Sequence, residues 1–204
     1  MDRDQFLARW QNACRVDSLP EPKDNLLQLQ STSEVVREQQ TNDAFSDKWS
    51  SYNESQDKEK WYQMQREWYL QLYGFENENE LADFLGSKKF IFDAGCGLGY
   101  KAAWFARLAP ESLVVGMDFS DAVQLAAESY ADLNNLFFAQ GDISRTDFLD
   151  GSIDYVNCDQ VIMHTQNPNQ TFAELTRITR PVGGQIACYF YSQKALPREL
   201  LDEH

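Results

Sequence analysis

The stretch Phe90-Ile91-Phe92-Asp93-Ala94-Gly95-Cys96-Gly97-Leu98-Gly99 decides how the chain is read. Its first half is an apolar run carrying one acid, which predicts a buried strand. Glycines at alternate positions then let the backbone turn tightly and come close to a ligand. Lys101–Leu108 follows as a helix stopped by Pro110. The start of such a helix offers N–H groups and a positive dipole end to an anionic group. A glycine-rich turn between a strand and a helix is the context a nucleotide-type cofactor requires.

The alternation continues toward the C-terminus. Leu113–Asp118 is a second strand, and Ser120 is a candidate N-cap for a helix carrying Val123, Ala126, Ala127 and Tyr130. Leu136–Ala139 and Ile153–Cys158 are the third and fourth strands. Phe172, Leu175 and Ile178 mark one face of a helix that ends at Pro181 and Gly183-Gly184, before a fifth strand, Gln185–Tyr191. Strands alternating with helices predict an α/β fold, a Rossmann-like doubly wound parallel sheet in a three-layer α/β/α arrangement. Right-handed crossovers place all strand C-termini on one edge, where ligands of such folds bind.

Toward the N-terminus the pattern weakens. Phe6, Leu7 and Trp10 predict a short helix, and residues 31–44 read as a weakly ordered arm, so residues 1–45 are taken as an N-terminal helix and polar arm. Residues 46–204 are then the main domain, with an aromatic helical lead-in over 46–87. In it Trp61, Met64, Trp68, Leu72 and Phe75 recur at helical spacing, a stripe expected to pack on the core and widened by Tyr62, Tyr69 and Tyr73. Glu78–Leu85 predicts a second helix ending at Gly86.

Composition excludes several classes. The chain has 204 residues, 43% apolar and 25% charged, which is globular composition with enough length for a sizeable core. Its net charge of −14 repels phosphate backbones and disfavours nucleic acid as a partner. No apolar stretch is long enough to span a membrane, and the acidic start lacks a secretory pattern, so the expectation is a cytoplasmic protein. Cys14, Cys96, Cys158 and Cys188 form no C-x-x-C pair, and only His164 and His204 could join them, so no metal site is expected.

Two cofactor classes compete for the turn. A dinucleotide site prefers G-x-G-x-x-G/A, which would put a small residue where Tyr100 stands. The spacing present, G-x-G-x-G preceded by Asp93, suits a ligand with an amino-acid end. Asp118 follows Gly95 at the interval expected of a ribose-binding acid.

DAGCGLGY resembles motif I of the class I S-adenosylmethionine-dependent methyltransferases. The resemblance continues through Gly116-Met117-Asp118-Phe119-Ser120, Gln140-Gly141-Asp142-Ile143, Phe148–Val156 and Leu175–Gly184, in order, over roughly residues 88–192. More weakly, Phe45-Ser46-Asp47-Lys48-Trp49 looks like the lead-in of a methyltransferase-11-like subgroup. The resemblance implies S-adenosylmethionine as cofactor and S-adenosylhomocysteine as product. It places Gly95, Cys96, Gly97 and Gly99 along the methionine portion through their backbone, with Asp93 on its amino group. It puts Asp118 on the ribose hydroxyls, Phe119 against the adenine, Asp142 on the adenine amino group with Ile143 alongside, and Asp159 and Gln160 beside the methionine portion and the methyl group. Asp93, Asp118 and Asp142 also fit plain structural roles as dipole partner, helix cap and turn former. Cys96 reads as a small turn residue rather than a nucleophile. His164 is a candidate proton acceptor or a structural group, and Trp49 and Tyr52 are candidates to close over the cofactor.

The family usually continues past the fifth strand with a helix and a two-strand hairpin, for which the residues after Tyr191 are too few. A fragment or a naturally shortened fold follows. With strand order 3-2-1-4-5, Ile186–Tyr191 becomes an apolar edge, expected to be masked by the N-terminal region, a partner chain or a second copy as a homodimer. The expected function is methyl transfer to a small-molecule acceptor. The alternatives are a non-catalytic cofactor-binding or interaction module and a nucleotide-cofactor oxidoreductase.

Overall fold

The computed structural model describes residues 1–16, 19, 22, 25–28 and 58–190. The proposed arm at 31–44, the lead-in Phe45–Trp49, Tyr52 and the segment from Tyr191 onward lie outside the described residues. The elements in chain order are α1 (Arg3–Asn12), β1 (Leu26–Gln28), α2 (Lys58–Tyr73), α3 (Glu78–Gly86), β2 (Phe90–Ala94), α4 (Tyr100–Leu108), β3 (Leu113–Asp118), α5 (Ala122–Ser129), β4 (Leu136–Gln140), β5 (Tyr155–Asp159), α6 (Pro168–Ile178) and β6 (Gln185–Tyr189).

All strand pairs are parallel, in the order β1-β4-β3-β2-β5-β6. This is the expected 3-2-1-4-5 arrangement with one more strand, β1, added beside β4. Every residue of β2, β3 and β5 is buried, as a parallel sheet covered on both faces requires. One apolar layer holds Phe6, Trp10, Phe137, Phe148, Leu175 and Ile178. The other holds Tyr69, Leu81, Leu85, Phe105, Val123 and Phe138.

The described N-terminal residues are part of this body. Asp2 and Gln5 form a reciprocal capping box at the start of α1, which satisfies helix donors that would otherwise be orphaned. Phe6 and Trp10, each 1% exposed, pin the helix to the sheet, with Trp10 against Phe137. The expectation that the N-terminal region masks the edge strand is not met by β1, which pairs with β4 at the opposite edge. Among the described strands, β6 pairs with β5 alone.

Three local expectations are corrected. The buried face of α2 is the tyrosine face: Tyr62 and Tyr69 are buried, whereas Met64 is 54% exposed and Leu72 36%. The sheet end beneath α2 presents Tyr155, Asn157 and Asp159, and these polar groups need hydroxyl partners that methionine and leucine cannot give. Ser120 does not cap α5. The helix begins after Asp121 without a side-chain cap bond, and the Ser120 hydroxyl turns back to Asp118. Ile153 precedes β5 and makes only an isolated bridge with Thr179.

Candidate functional site

The turn after β2 sits where the order of strands reverses, at the carboxyl end of the sheet. Gly95, Gly97 and Gly99 all have positive φ, of 80°, 52° and 71°. A Cβ on Gly95 would lie 2.3 Å from the Val161 side chain, and one on Gly99 would lie 2.6 Å from the Phe138 ring. These positions therefore combine a left-handed backbone with close approach, which only glycine accommodates. Gly95 and Cys96 are partly open, whereas Gly97 and Gly99 are buried.

The N–H groups of the turn are engaged inside the protein. Gly95 and Cys96 both donate to the Met117 carbonyl, at 2.7 and 3.0 Å, and Gly97 donates to Asp118 Oδ2 at 2.8 Å. The N–H groups of these three turn residues are therefore not offered to an anion. What the turn faces is a set of carboxylates, an environment for a cation.

Asp93 is the most telling of them. It is 3% exposed; Oδ1 accepts from Asn157 Nδ2 at 2.7 Å, and Oδ2 is buried with no hydrogen-bond partner among the described residues. Asn157 is Asp93's register neighbour on β5, and its Oδ1 accepts from the Tyr69 hydroxyl at 3.2 Å, which fixes the amide with Nδ2 toward Asp93. Tyr69 and Tyr155 hydroxyls lie 2.5 Å apart and complete the chain. Burial pushes the Asp93 carboxyl up to about 6. The Asn157 bond and the Lys101 charge oppose this, and the Asp159 and Asp118 charges add to it.

Asp159 ends β5 and is ion-paired with Lys101 from the first turn of α4; the Tyr73 hydroxyl donates to its other oxygen at 3.4 Å. Gln160 follows with φ 64°, an uncommon conformation for a residue with a side chain, and its N–H is held by the Tyr189 carbonyl.

Asp118 and Asp142 lie along the other side of the turn. Asp118 Oδ1 accepts from the Ser120 N–H and hydroxyl at 2.9 and 2.7 Å. The Gly97 N–H occupies the other oxygen, and the Phe119 N–H also acts on the carboxylate, so both of its oxygens are held by the chain. Asp142 repeats the motif with the Ser144 N–H and hydroxyl at 2.8 and 2.7 Å, but it is exposed. The Gly141 N–H donates to the Asp118 carbonyl, which joins the two turns, and Phe119 is 36% exposed beside them with Ile143 buried below.

Burial, helped by the charges of Asp118 and Asp93, raises the Cys96 thiol well above its ordinary value, which agrees with an inert turn residue. Tyr100 stacks on Tyr62 with ring centres 3.8 Å apart, and its hydroxyl donates to the Tyr62 carbonyl. The position that a dinucleotide turn keeps small is thus filled by a ring locked against α2. His164 lies exposed on a 3₁₀ turn, Ile162–His164, after β5. Beside that turn is a half-open surface depression lined by Ile162, Met163, Pro168, Asn169, Phe172 and Phe190.

Lys101, Asn157, Tyr69, Tyr73 and Val161 were not anticipated as site residues. Asn157 carried a signal, a lone amide in the buried run Tyr155–Asp159. Lys101 carried none, because a lysine early in a helix is ordinary.

A family model for the methyltransferase domain matches residues 92–188, which takes in the turn, Asp118, Asp142 and the end of β5. Over this stretch, a little under half of the chain, the protein is similar to methyltransferase domains. S-adenosylmethionine is the cofactor of this class. The domain is 35% identical over 107 residues to an uncharacterized methyltransferase of Schizosaccharomyces pombe, covering 48% of this chain and 38% of that protein. It is 35% identical over 97 residues to a trans-aconitate 2-methyltransferase of Deinococcus radiodurans, covering 48% of this chain and 36% of that one. The chain spans 28–38% of the length of the first three curated relatives it matches. The fold is also that of the MccD protein, with a TM-score of 0.52 at 21% identity, covering 64% of this chain and 60% of that one. Among the described residues no helix is long and apolar enough to cross a membrane, and no cluster of three or more His, Cys, Asp or Glu could hold a metal.

Proposed function

We propose that this chain binds S-adenosylmethionine across the rim of β2, β3, β4 and β5 and transfers its methyl group to a small-molecule acceptor. The observation that carries the reading is the buried Asp93 Oδ2, just before the glycine turn, which has no partner among the described residues. An orphaned buried acceptor is costly, and a ligand's ammonium would satisfy it. The residues fit the cofactor in kind: three carboxylates surround a turn whose N–H groups are engaged elsewhere, so the site favours a cationic ligand over a pyrophosphate.

In this reading Asp93 holds the amino group and Gly95 lets the methionine portion lie against the turn. Asp118 takes the ribose hydroxyls, and Phe119, Asp142 and Ile143 frame the adenine. Asp159 and Gln160 border the reacting methyl. When bound, S-adenosylmethionine supplies a methyl group on a positively charged sulfur, so the residues of the chain act chiefly by fixing approach and excluding water. The acceptor approaches over the half-open depression by Ile162, Met163 and Phe172, and His164, on the same 3₁₀ turn, takes a proton from an attacking hydroxyl in this reading.

Calorimetric titration with S-adenosylhomocysteine, S-adenosylmethionine and NAD tests the reading. Binding of both sulfur compounds and none of NAD is expected. Tight NAD binding with no response to either sulfur compound overturns it.

A further inference from the structure

We propose that Lys101 is the positioning residue that recognises the cofactor's carboxylate, and that it exchanges partners when the cofactor enters. The inference rests on the cofactor site proposed above.

Lys101 is the second residue of α4, in a first turn that contains no acid. A cation there opposes the helix dipole, which is unfavourable in itself. Its side chain is only 16% exposed, so the ammonium also loses hydration. What offsets both costs is Asp159, whose carboxylate is ion-paired with it, and the charge of Asp93 nearby. The Tyr69 ring lies 5.9 Å from the ammonium on another side.

The charges then pose a problem for the ligand. Its methionine end carries an ammonium and a carboxylate, and the site around Asp93 is built of carboxylates. The ligand's ammonium is provided for by the unpartnered Asp93 Oδ2. Its carboxylate would be repelled unless a cation turned toward it, and Lys101 is the cation acting on both Asp93 and Asp159. A lysine suits the exchange, because a point charge on a flexible four-carbon stem can change partners without moving the helix. Lys101 holds the acids together before the cofactor arrives, then pairs with the incoming carboxylate.

The test compares S-adenosylmethionine with its decarboxylated form, which keeps the sulfonium and the amine but lacks the carboxylate. Wild-type protein is expected to bind both. Lys101→Met should weaken binding of S-adenosylmethionine by about tenfold, the loss of one charge-assisted hydrogen bond. The same variant should bind the decarboxylated form as well as wild type does, or better, because the site has become more negative. Lys101→Arg, which keeps the charge, should retain most of the preference and guards against misfolding of the first variant. Equal loss for both ligands in Lys101→Met would assign the residue a structural role and overturn the proposal. Unchanged or tighter binding of S-adenosylmethionine would show Lys101 to be only a competing counter-ion. Wild-type protein that binds neither ligand would overturn the cofactor reading itself, and this proposal with it.

Discussion

The two halves of the rim are built in different ways. Along β3 and β4, Asp118 and Asp142 each take a serine two residues ahead, Ser120 and Ser144, with almost the same bond lengths. Along β2 and β5, Asp93 and Asp159 take Asn157, Lys101 and Tyr73, all distant in sequence and brought in by strand register and helix packing. The first half closes its own turns and is nearly complete without a ligand. The second is over-supplied with buried negative charge, and one oxygen is left over. A protein that binds a cofactor with a neutral nucleoside end and an ammonium on its amino-acid end needs this asymmetry: local order on one side, unmet electrostatic demand on the other.

The comparison breaks most sharply at Gly95. Gly95→Val places a branched side chain at φ 80°, into atoms of Val161. Cofactor binding should be lost, by more than about a hundredfold, because strain and overlap each cost on the order of 1–3 kcal/mol. Near-normal affinity for S-adenosylhomocysteine in this variant would mean that the turn does not shape the site.

Asn157→Leu probes the long-range half. Asp93 loses its one donor in a buried position, so its carboxylate form becomes harder to hold. Cofactor affinity should fall by about tenfold, comparable to one hydrogen bond to a charged group. An affinity within twofold of wild type would detach Asp93 from binding.

The pH dependence sharpens the same point. Asp93 faces Asn157, Lys101, Asp159 and Asp118, and the balance lifts it from 3.8 to about 6. The folded protein therefore holds this proton more tightly than the unfolded chain does. That contribution to stability is complete below pH 3.8 and is lost as pH rises through about 6. Binding runs the opposite way, since only the carboxylate accepts an ammonium effectively. Affinity for S-adenosylhomocysteine should rise from pH 5 to pH 7, by calorimetry, and Asp93→Asn should flatten the profile. A wild-type profile already flat over that range would contradict the assignment.

The smallest effect belongs to the local half. Ser144→Ala removes one hydroxyl from an exposed turn and should lower stability by about 0.5–1 kcal/mol in denaturant unfolding, with little change in cofactor affinity. A tenfold loss of affinity would show that the Asp142 turn is as finely set as the Asp93 network.

Legibility in the sequence follows the same division. The strand-turn-helix around Asp93–Gly99, the positions of Asp118 and Asp142, and the order of the five main strands were readable, because each depends on neighbours within a few residues or on one run of apolar side chains. The extra strand β1 was missed, since the three residues Leu26–Gln28 carry too little pattern and are held by β4. The face of α2 was misjudged because periodicity ranks methionine and leucine above tyrosine. The sheet end it covers rewards hydroxyls that can reach Asn157 and Asp159. Lys101 could not be read, as its meaning comes from an acid that only the fold brings beside it.

The central claim is that the β2–β5 side of the rim holds the ammonium of the cofactor's amino-acid end. A crystal structure of the complex with S-adenosylhomocysteine tests it most directly. The account predicts the ligand's amine within hydrogen-bond distance of Asp93 Oδ2 and its adenine alongside Phe119. A ligand bound with its amine elsewhere, and Asp93 Oδ2 still without a partner, would contradict it.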